Sequence, residues 1–119
     1  MTEKKTIHYF SGVGEANTEE TLRAAKTRAD ELGIKDIVIA STRGPTGLKA
    51  VEHFKGYNVV VVPHVTGMRE PGTQELGEDY AEKIKAGGGK LIIAAHAFSG
   101  VNRAIQTKFD TMYPVGIIA

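Results

Sequence analysis

The feature that most constrains the fold is an alternation of short apolar runs with longer segments in which apolar residues recur at helical spacing. Runs typical of strands cover residues 7–10, 36–40, 58–63 and 91–95. Helices are predicted over residues 17–33, 46–54 and 73–86, with a short one from Ser99 toward Thr107. Because strands that alternate with helices form βαβ units, we expect an α/β fold whose mostly parallel sheet carries helices on both faces.

The first predicted helix has clear boundary signals. Asn17 is a favourable N-cap, and Glu20, three residues later, completes a capping-box pattern. Gly33 is the expected stop, because glycine readily adopts the left-handed conformation that ends many helices. These signals predict a helix between Asn17 and Gly33.

The central loop follows the strand predicted at 36–40 and contains Ser41, Thr42, Arg43, Gly44, Pro45, Thr46 and Gly47. A strand that breaks into Ser, Thr and Gly and re-enters a helix leaves unpaired N–H groups at the positive end of the helix dipole. Such a site favours an anion such as phosphate. The hydroxyls and the Arg43 guanidinium can add charge-assisted hydrogen bonds. The alternative is purely structural, since such turns need glycine and Ser or Thr caps helices.

Two histidines, His64 and His96, each follow a run of buried-strand type. In parallel sheets, ligands bind beyond the carboxyl ends of the strands, at a topological switch point. The connectors expected to gather there are residues 11–17, 41–47, 64–72 and 96–102. A histidine in this place can be a general base, a phosphate contact or a stacking surface, or it can merely cap its strand.

The last of these connectors, residues 96–102, has a sequence pattern similar to that of the central loop. Ser99 and Gly100 supply a hydroxyl and a glycine before a helix, with Ser99 as the expected cap. Two such loops suit a ligand with a phosphate at one end and polar groups at the other.

Other chemistries find less support in the sequence. The central loop lacks the Gly-Lys-Ser/Thr ending of a Walker loop, and no serine lies in a Gly-x-Ser-x-Gly elbow. No carboxylate is evidently placed with His64 and His96, so no metal site is predicted. Arg69, Glu70 and Glu75 are expected to be solvated charges. His8 is expected inside the first strand, and His53 on a helix with a scaffold role.

Composition sets limits on the class of protein. The 119 residues suit a single domain, 1–119. Fifteen basic and fourteen acidic side chains give a net charge of +1, so nucleic acid and anionic membrane are not expected partners. The absence of cysteine excludes disulfides and thiol chemistry. The N-terminus is charged and the apolar runs are too short to span a bilayer, which predicts a cytoplasmic protein.

The sequence resembles the C-terminal domain of pyruvate kinase, whose effector loop also holds a sugar phosphate with Ser, Thr and Gly at a helix start. It is more similar to small stand-alone proteins called pyruvate kinase C-terminal-domain-like, or pyruvate kinase alpha/beta domain, proteins. The likeness spans roughly residues 7–119. Its points are Tyr9-Phe10, Asn17-Thr18-Glu19, Arg28-Ala29, Leu32-Gly33-Ile34, the 41–46 loop, His64, Gly67, Arg69-Glu70 and His96-Ala97-Phe98-Ser99-Gly100.

The resemblance implies a three-layer α/β/α fold and no kinase active site, which lies in other pyruvate kinase domains. Stand-alone relatives are associated with flavin mononucleotide (FMN) in the strand-end cleft. By this resemblance Thr42, Arg43, Gly44 and Thr46 become candidates for the phosphate, joining Ser41. The candidates for the rest of the ligand are His64, His96, Ser99 and Gly100.

The relatives continue past the position of Ala119 with another helix and further strands. The resemblance therefore predicts a domain that lacks its last elements. The apolar run at 115–119 is expected to begin a further element, which indicates either a fragment or a domain closed by a partner. The expected function is binding of a phosphate-bearing small molecule, with FMN as first choice. The alternatives are an enzyme of flavin-dependent redox or phosphoester chemistry, and a regulatory module for effector sensing or homo-oligomer formation.

Overall fold

Three short strands form a parallel sheet in the order β1-β2-β3. The computed structural model describes residues 1–2, 4–111 and 114–118. The strands are β1 (Asp36–Ala40), β2 (Asn58–Val62) and β3 (Lys90–Leu91). The helices are α1 (Thr18–Leu32), α2 (Pro45–His53), α3 (Glu78–Ala86), α4 (Ala97–Phe109) and α5 (Pro114–Ile118), and a 3-10 turn at Glu15–Asn17 precedes α1. The chain is therefore α/β with an open parallel sheet, as the alternating pattern predicts.

The core lies between one face of the sheet and the first three helices. β1 and β2 pair in register from Asp36 opposite Asn58 to Ala40 opposite Val62. Alternate residues of β2 are buried against α2 and α3, and the fully enclosed side chains are Val61, Phe54 and Ile84. Each such side chain contributes roughly 1.5–3 kcal/mol to stability. Leu22 and Ala29 bring α1 into the same cluster.

The opposite face of the sheet is open in the described part of the chain. Val38 of β1 is 72% exposed, whereas its neighbours Ile37 and Ile39 pack against the core. Ile92, just after β3, is 50% exposed. The helices expected on this second face are not formed by the described residues. The arrangement is compatible with a three-layer α/β/α fold in which this face gains a further layer.

The strand expected at residues 7–10 does not form. This segment lies along α1, where His8 Nδ1 approaches Glu20 Oε1 at 3.4 Å, and Ile7 and Tyr9 are 71% and 88% exposed. A strand needs a hydrogen-bonded neighbour, and among the described residues only β2 pairs with β1. Without a neighbouring strand, the short run stays irregular beside α1.

The strand expected at 91–95 is shortened to Lys90–Leu91. The last ladder contact is the N–H of Ile92, which donates to Val61 O at 3.1 Å. The next bond of a parallel ladder would need the N–H of residue 63, and Pro63 has none. Residues 92–96 therefore leave the sheet.

The predicted helix boundaries are partly confirmed. α1 begins after Asn17 and ends at Gly33, whose φ of 68° is left-handed. The capping-box contacts are not made, because Asn17 Nδ2 donates to Gly12 O and Glu20 pairs with Arg23. α3 begins five residues after the predicted position 73 because the intervening residues fold back on the connector that follows β2. There, the Gln74 side-chain amide donates to His64 O at 3.1 Å.

α4 projects from the body of the molecule. Within the described ranges it contacts α5 and no other helix or strand, and Phe98, Val101 and Phe109 are more than half exposed. The radius of gyration is 17.3 Å, compared with about 13.5 Å expected for a compact chain of this length. α5 occupies most of the apolar run at 115–119, of which Ala119 lies outside the described residues. No helix of the described chain has the length and apolar character needed to cross a membrane.

Candidate functional site

A cavity of about 550 Å³ lies at the carboxyl ends of β1 and β2. Three connectors line it: the segment before α1, the loop between β1 and α2, and the segment after β2. The lining residues are Gly14, Glu15, Thr18, Ala40, Ser41, Thr42, Arg43, Pro45, Thr46, Lys49, His64, Arg69 and Glu75. Three of the four connectors that the sequence predicts at this edge are thus brought together.

The loop after β1 is anchored at Ser41. This side chain is buried, and its Oγ accepts a hydrogen bond of 2.9 Å from the N–H of Gly47 in the first turn of α2. The Ser41 N–H donates to Val62 O at 3.1 Å, which continues the sheet by one bond. Ser41 therefore holds the loop to both β2 and α2, while its hydroxyl proton can still be donated.

Two glycines allow the loop to lie close to its neighbours. Gly44 has a φ of 113°, and a Cβ at this position would overlap the Tyr80 side chain of α3. A Cβ at Gly47 would lie 2.6 Å from Val61 Cγ1. The left-handed turn and the close helix–sheet packing therefore both require glycine.

Residues at the start of α2 line the cavity and carry hydrogen-bond donors. Pro45 occupies the first helical turn, where its missing N–H would have no helical acceptor in any case. The Gly47 N–H is engaged by Ser41. Thr46 keeps an N–H in the first turn, where the helix itself provides no acceptor. Thr42 and Thr46 both line the same cavity.

The electrostatic balance of the lining is slightly positive. Arg43, Lys49 and Arg69 face the carboxylates Glu15 and Glu75, which gives a formal charge of +1 with His64 neutral. Lys49 Nζ lies 3.7 Å from Glu15 Oε1 and 3.5 Å from Glu19 Oε1 of α1. Together with the helix dipole, these side chains favour an anionic ligand.

His64 and Glu75 form a close pair in this cavity. His64 Nδ1 lies 2.6 Å from Glu75 Oε2, and Arg69 Nε lies 3.0 Å from the other carboxylate oxygen. The hydrogen bond from His64 is the main cause that lowers the pKa of the Glu75 carboxyl; desolvation opposes this shift, and the charges of Arg69 and Arg43 support it. Glu75 is therefore ionised at neutral pH and holds a proton on His64 Nδ1.

Glu75 corrects two expectations. Its side chain is only 14% exposed, so it is not a solvated charge, and it provides the carboxylate partner of His64 that the sequence did not reveal. Arg69 also lines the cavity, while Glu70 is exposed and uses its carbonyl in a turn with Thr73. Glu75 reaches His64 because the connector folds back, a tertiary feature without a sequence motif.

His96, Ser99 and Gly100 do not line this cavity. His96 Nδ1 accepts from the Ser99 N–H at 3.1 Å, so His96 rather than Ser99 caps α4. Because the ladder stops at Pro63, the chain leaves the sheet before reaching these residues. Arg103 Nη2 still donates to Met68 O at 3.0 Å, which links α4 to the connector after β2.

His53 behaves as the predicted scaffold residue. Its Nε2 lies 2.6 Å from Glu19 Oε2, which joins α2 to α1 outside the cavity lining. Among the described residues, no group of three or more His, Cys, Asp or Glu side chains is placed to hold a metal ion. A comparison of the sequence with protein-family models finds no match.

Proposed function

We propose that this chain is a small-molecule-binding domain that holds a phosphate-bearing ligand in the cavity at the ends of β1 and β2. The observation that carries the proposal is the start of α2. There, Thr42 and Thr46 share one cavity lining with Arg43, Lys49 and Arg69. Backbone donors, a helix dipole and flexible cations are the usual means of binding a phosphate.

The size of the cavity favours an organic phosphate over the bare ion. Ligand pockets for small molecules typically enclose about 300–1,000 Å³, and this cavity encloses about 550 Å³. The space next to the phosphate position is bordered by His64 and Glu75, which offer a ring surface and hydrogen-bonding groups. The ligand that fits best therefore has a phosphate at one end and a polar group at the other.

FMN is the proposed ligand because the resemblance to pyruvate kinase C-terminal-domain-like proteins implies it. Thr42, Arg43 and Thr46 would surround its phosphate, and His64 would lie beside the organic part. Gly44, the other candidate of this loop, is buried against Tyr80 and lies outside the cavity lining. His96, Ser99 and Gly100 lie outside the cavity lining, so they do not support this assignment. The same proposal includes the finer fold, a three-layer domain of this kind in which a further layer covers Val38 and the open sheet face.

The experiment is a visible absorption spectrum of the purified protein after addition of FMN and removal of the excess, with inorganic phosphate binding measured in parallel. Retained flavin together with phosphate competition is the expected result. A colourless protein that binds phosphate would overturn the flavin assignment alone. A protein that binds neither would overturn the proposed function.

An enzyme of phosphoester chemistry is the second candidate. It is favoured by one observation, the contact between His64 and Glu75 inside the proposed phosphate cavity. A carboxylate that fixes the orientation and tautomer of an imidazole is a recurring element of catalytic sites.

A further inference from the structure

Three histidines of the described chain pair with carboxylates, and they differ in surroundings. His8 lies near Glu20 at 3.4 Å, while the contacts of His53 with Glu19 and of His64 with Glu75 are both 2.6 Å. His64 lines the cavity at the strand ends, whereas His53 joins two helices outside its lining. Of the three pairs, the one formed by His64 and Glu75 is therefore the pair that lies in the proposed phosphate cavity.

The geometry of the pair defines the chemical state of His64. Because Glu75 accepts a hydrogen bond at Nδ1, that nitrogen carries the proton of the neutral ring, and Nε2 keeps its lone pair. Nε2 lies on the opposite side of the imidazole from Nδ1, and the side chain is 40% exposed. In the neutral ring this tautomer leaves the Nε2 lone pair free, on a partly exposed side chain that Glu75 orients, and such a nitrogen is suited to nucleophilic attack.

The cationic side chains of the cavity are suited to binding a phosphoryl group. Arg69 contacts Glu75 Oε1 at 3.0 Å and lines the cavity with Arg43 and Lys49. Positive groups fixed around a phosphoryl group neutralise the charge that its oxygens carry during transfer, which is the main protein contribution to such reactions. His64 therefore stands among groups that stabilise phosphoryl transfer.

We propose that His64 Nε2 accepts a phosphoryl group from a ligand held at the start of α2. The inference rests on the proposed function, since it needs a phosphate-bearing ligand in this cavity. The Nε2 lone pair forms the P–N bond, the bond from phosphorus to the leaving oxygen breaks, and that oxygen departs with the electron pair. Nδ1 keeps its proton, and the Glu75 carboxylate balances the positive charge on the ring. Glu75 is then a positioning residue.

The chemistry indicates the class of donor. In the described lining no uncommitted acid is placed to protonate a strongly basic leaving group, since Glu75 is ionised and Glu15 lies beside Lys49. Donors whose leaving oxygen departs as a stable anion, namely acyl phosphates and phosphoanhydrides, fit this site. A phosphate monoester such as FMN would bind in this cavity without donating its phosphoryl group. Acetyl phosphate is the simplest probe, with acetate as the leaving group.

The test is incubation of the full chain with acetyl phosphate, followed by intact mass measurement and peptide mapping. The expected result is one phosphoryl group on His64 that is lost in acid and retained in alkali. His64→Asn should abolish the modification, and His53→Asn should leave it unchanged. Glu75→Gln should slow it by about tenfold or more while inorganic phosphate still binds, and Glu75→Asp should restore part of the rate.

Two results would overturn the inference. One is a wild-type protein that binds inorganic phosphate and yet gains no phosphoryl group. The other is modification of His53 to the same extent as His64, because the cavity would then have no influence. A protein that binds no phosphate at all would overturn the proposed function together with this inference, so the two failures are distinguishable.

Discussion

Ser41 Oγ accepts a hydrogen bond of 2.9 Å from the N–H of Gly47, and this contact joins the end of β1 to the first turn of α2. The bond occupies one of the N–H groups that a helix start offers, and it places the Thr42 and Thr46 side chains at the edge of the cavity. The proposed anion site is therefore supported by a buried hydrogen bond between Ser41, which lines the cavity, and Gly47, which lies outside the lining.

Ser41→Ala is expected to destabilise the fold. Removal of the hydroxyl leaves the Gly47 N–H buried without its acceptor, which typically costs about 1–3 kcal/mol. The free energy of unfolding in urea measures this effect. Thr27→Ala is the control, because the exposed Thr27 hydroxyl bonds only within α1. Equal effects of the two substitutions would contradict the role assigned to Ser41.

Gly44→Ala is expected to cost about 1–3 kcal/mol from backbone strain alone, and more from overlap with Tyr80. The same substitution in a Tyr80→Ala background should cost less, since only the strain remains. Gly100→Ala is the control, because a Cβ there meets no neighbouring atom within 4 Å and the position is helical. Chemical denaturation of all four variants checks this expectation. A cost that is the same with and without Tyr80 would contradict the close approach.

The contribution of Glu75 to stability is expected to depend on pH. Its pKa is lower in the folded protein than the ordinary 4.5, so its stabilising effect is present above that ordinary value and is lost as pH falls through the lowered pKa. The stability difference between wild type and Glu75→Gln should therefore shrink between about pH 6 and about pH 3. Glu70→Gln, at an exposed position, should show no such trend. Unfolding midpoints across this range provide the measurement. A stability difference between wild type and Glu75→Gln that grows as the pH falls would contradict this expectation.

The open sheet face predicts a contrast between two valines. Val38→Thr should change stability by less than about 0.5 kcal/mol because Val38 is exposed, while Val61→Thr should cost about 1–3 kcal/mol because a hydroxyl enters the core. Thermal or urea unfolding of both variants tests this. A small effect is what the open face of the described structure predicts, and it would count against the proposed third layer in this chain. A large effect would contradict the open face and would mean that a further layer covers Val38 in solution.

Arg43→Ala should weaken the binding of FMN or inorganic phosphate by about ten- to a hundredfold, since one charge-assisted hydrogen bond contributes about 1.5–3 kcal/mol. Folding should be little affected because Arg43 is exposed. Arg28→Ala is the matched control, since Arg28 pairs with Glu31 on the surface of α1. Titration calorimetry measures the affinities. If both variants bind as the wild type does, the central loop is not the phosphate site.

Much of the fold could be predicted from local signals. The valine and isoleucine runs located β1 and β2, Gly33 located the end of α1, and the Ser, Thr and Gly residues after β1 located the start of α2. The shortening of β3 depends on Pro63 in the neighbouring strand, and the loss of the strand at 7–10 depends on which strands pair. Both are tertiary effects that hydrophobic pattern does not contain.

The candidate site was predictable to the same extent. Ser41, Thr42, Arg43, Thr46 and His64 line the cavity because they directly follow β1 and β2. The side chains of Lys49, Arg69 and Glu75 reach it by helix placement and by the fold of a long connector, for which no motif exists. The prediction that His96, Ser99 and Gly100 lie at the site assumes that β3 is as long as its neighbouring strands.

The most direct test of the account is a ¹H–¹⁵N NMR titration of the protein with inorganic phosphate at constant ionic strength. The account predicts saturable shifts centred on the amides of Thr42, Arg43 and Thr46, with smaller shifts at His64. Shifts that do not saturate, or that centre on residues remote from α2, would contradict the assignment of this cavity as the ligand site.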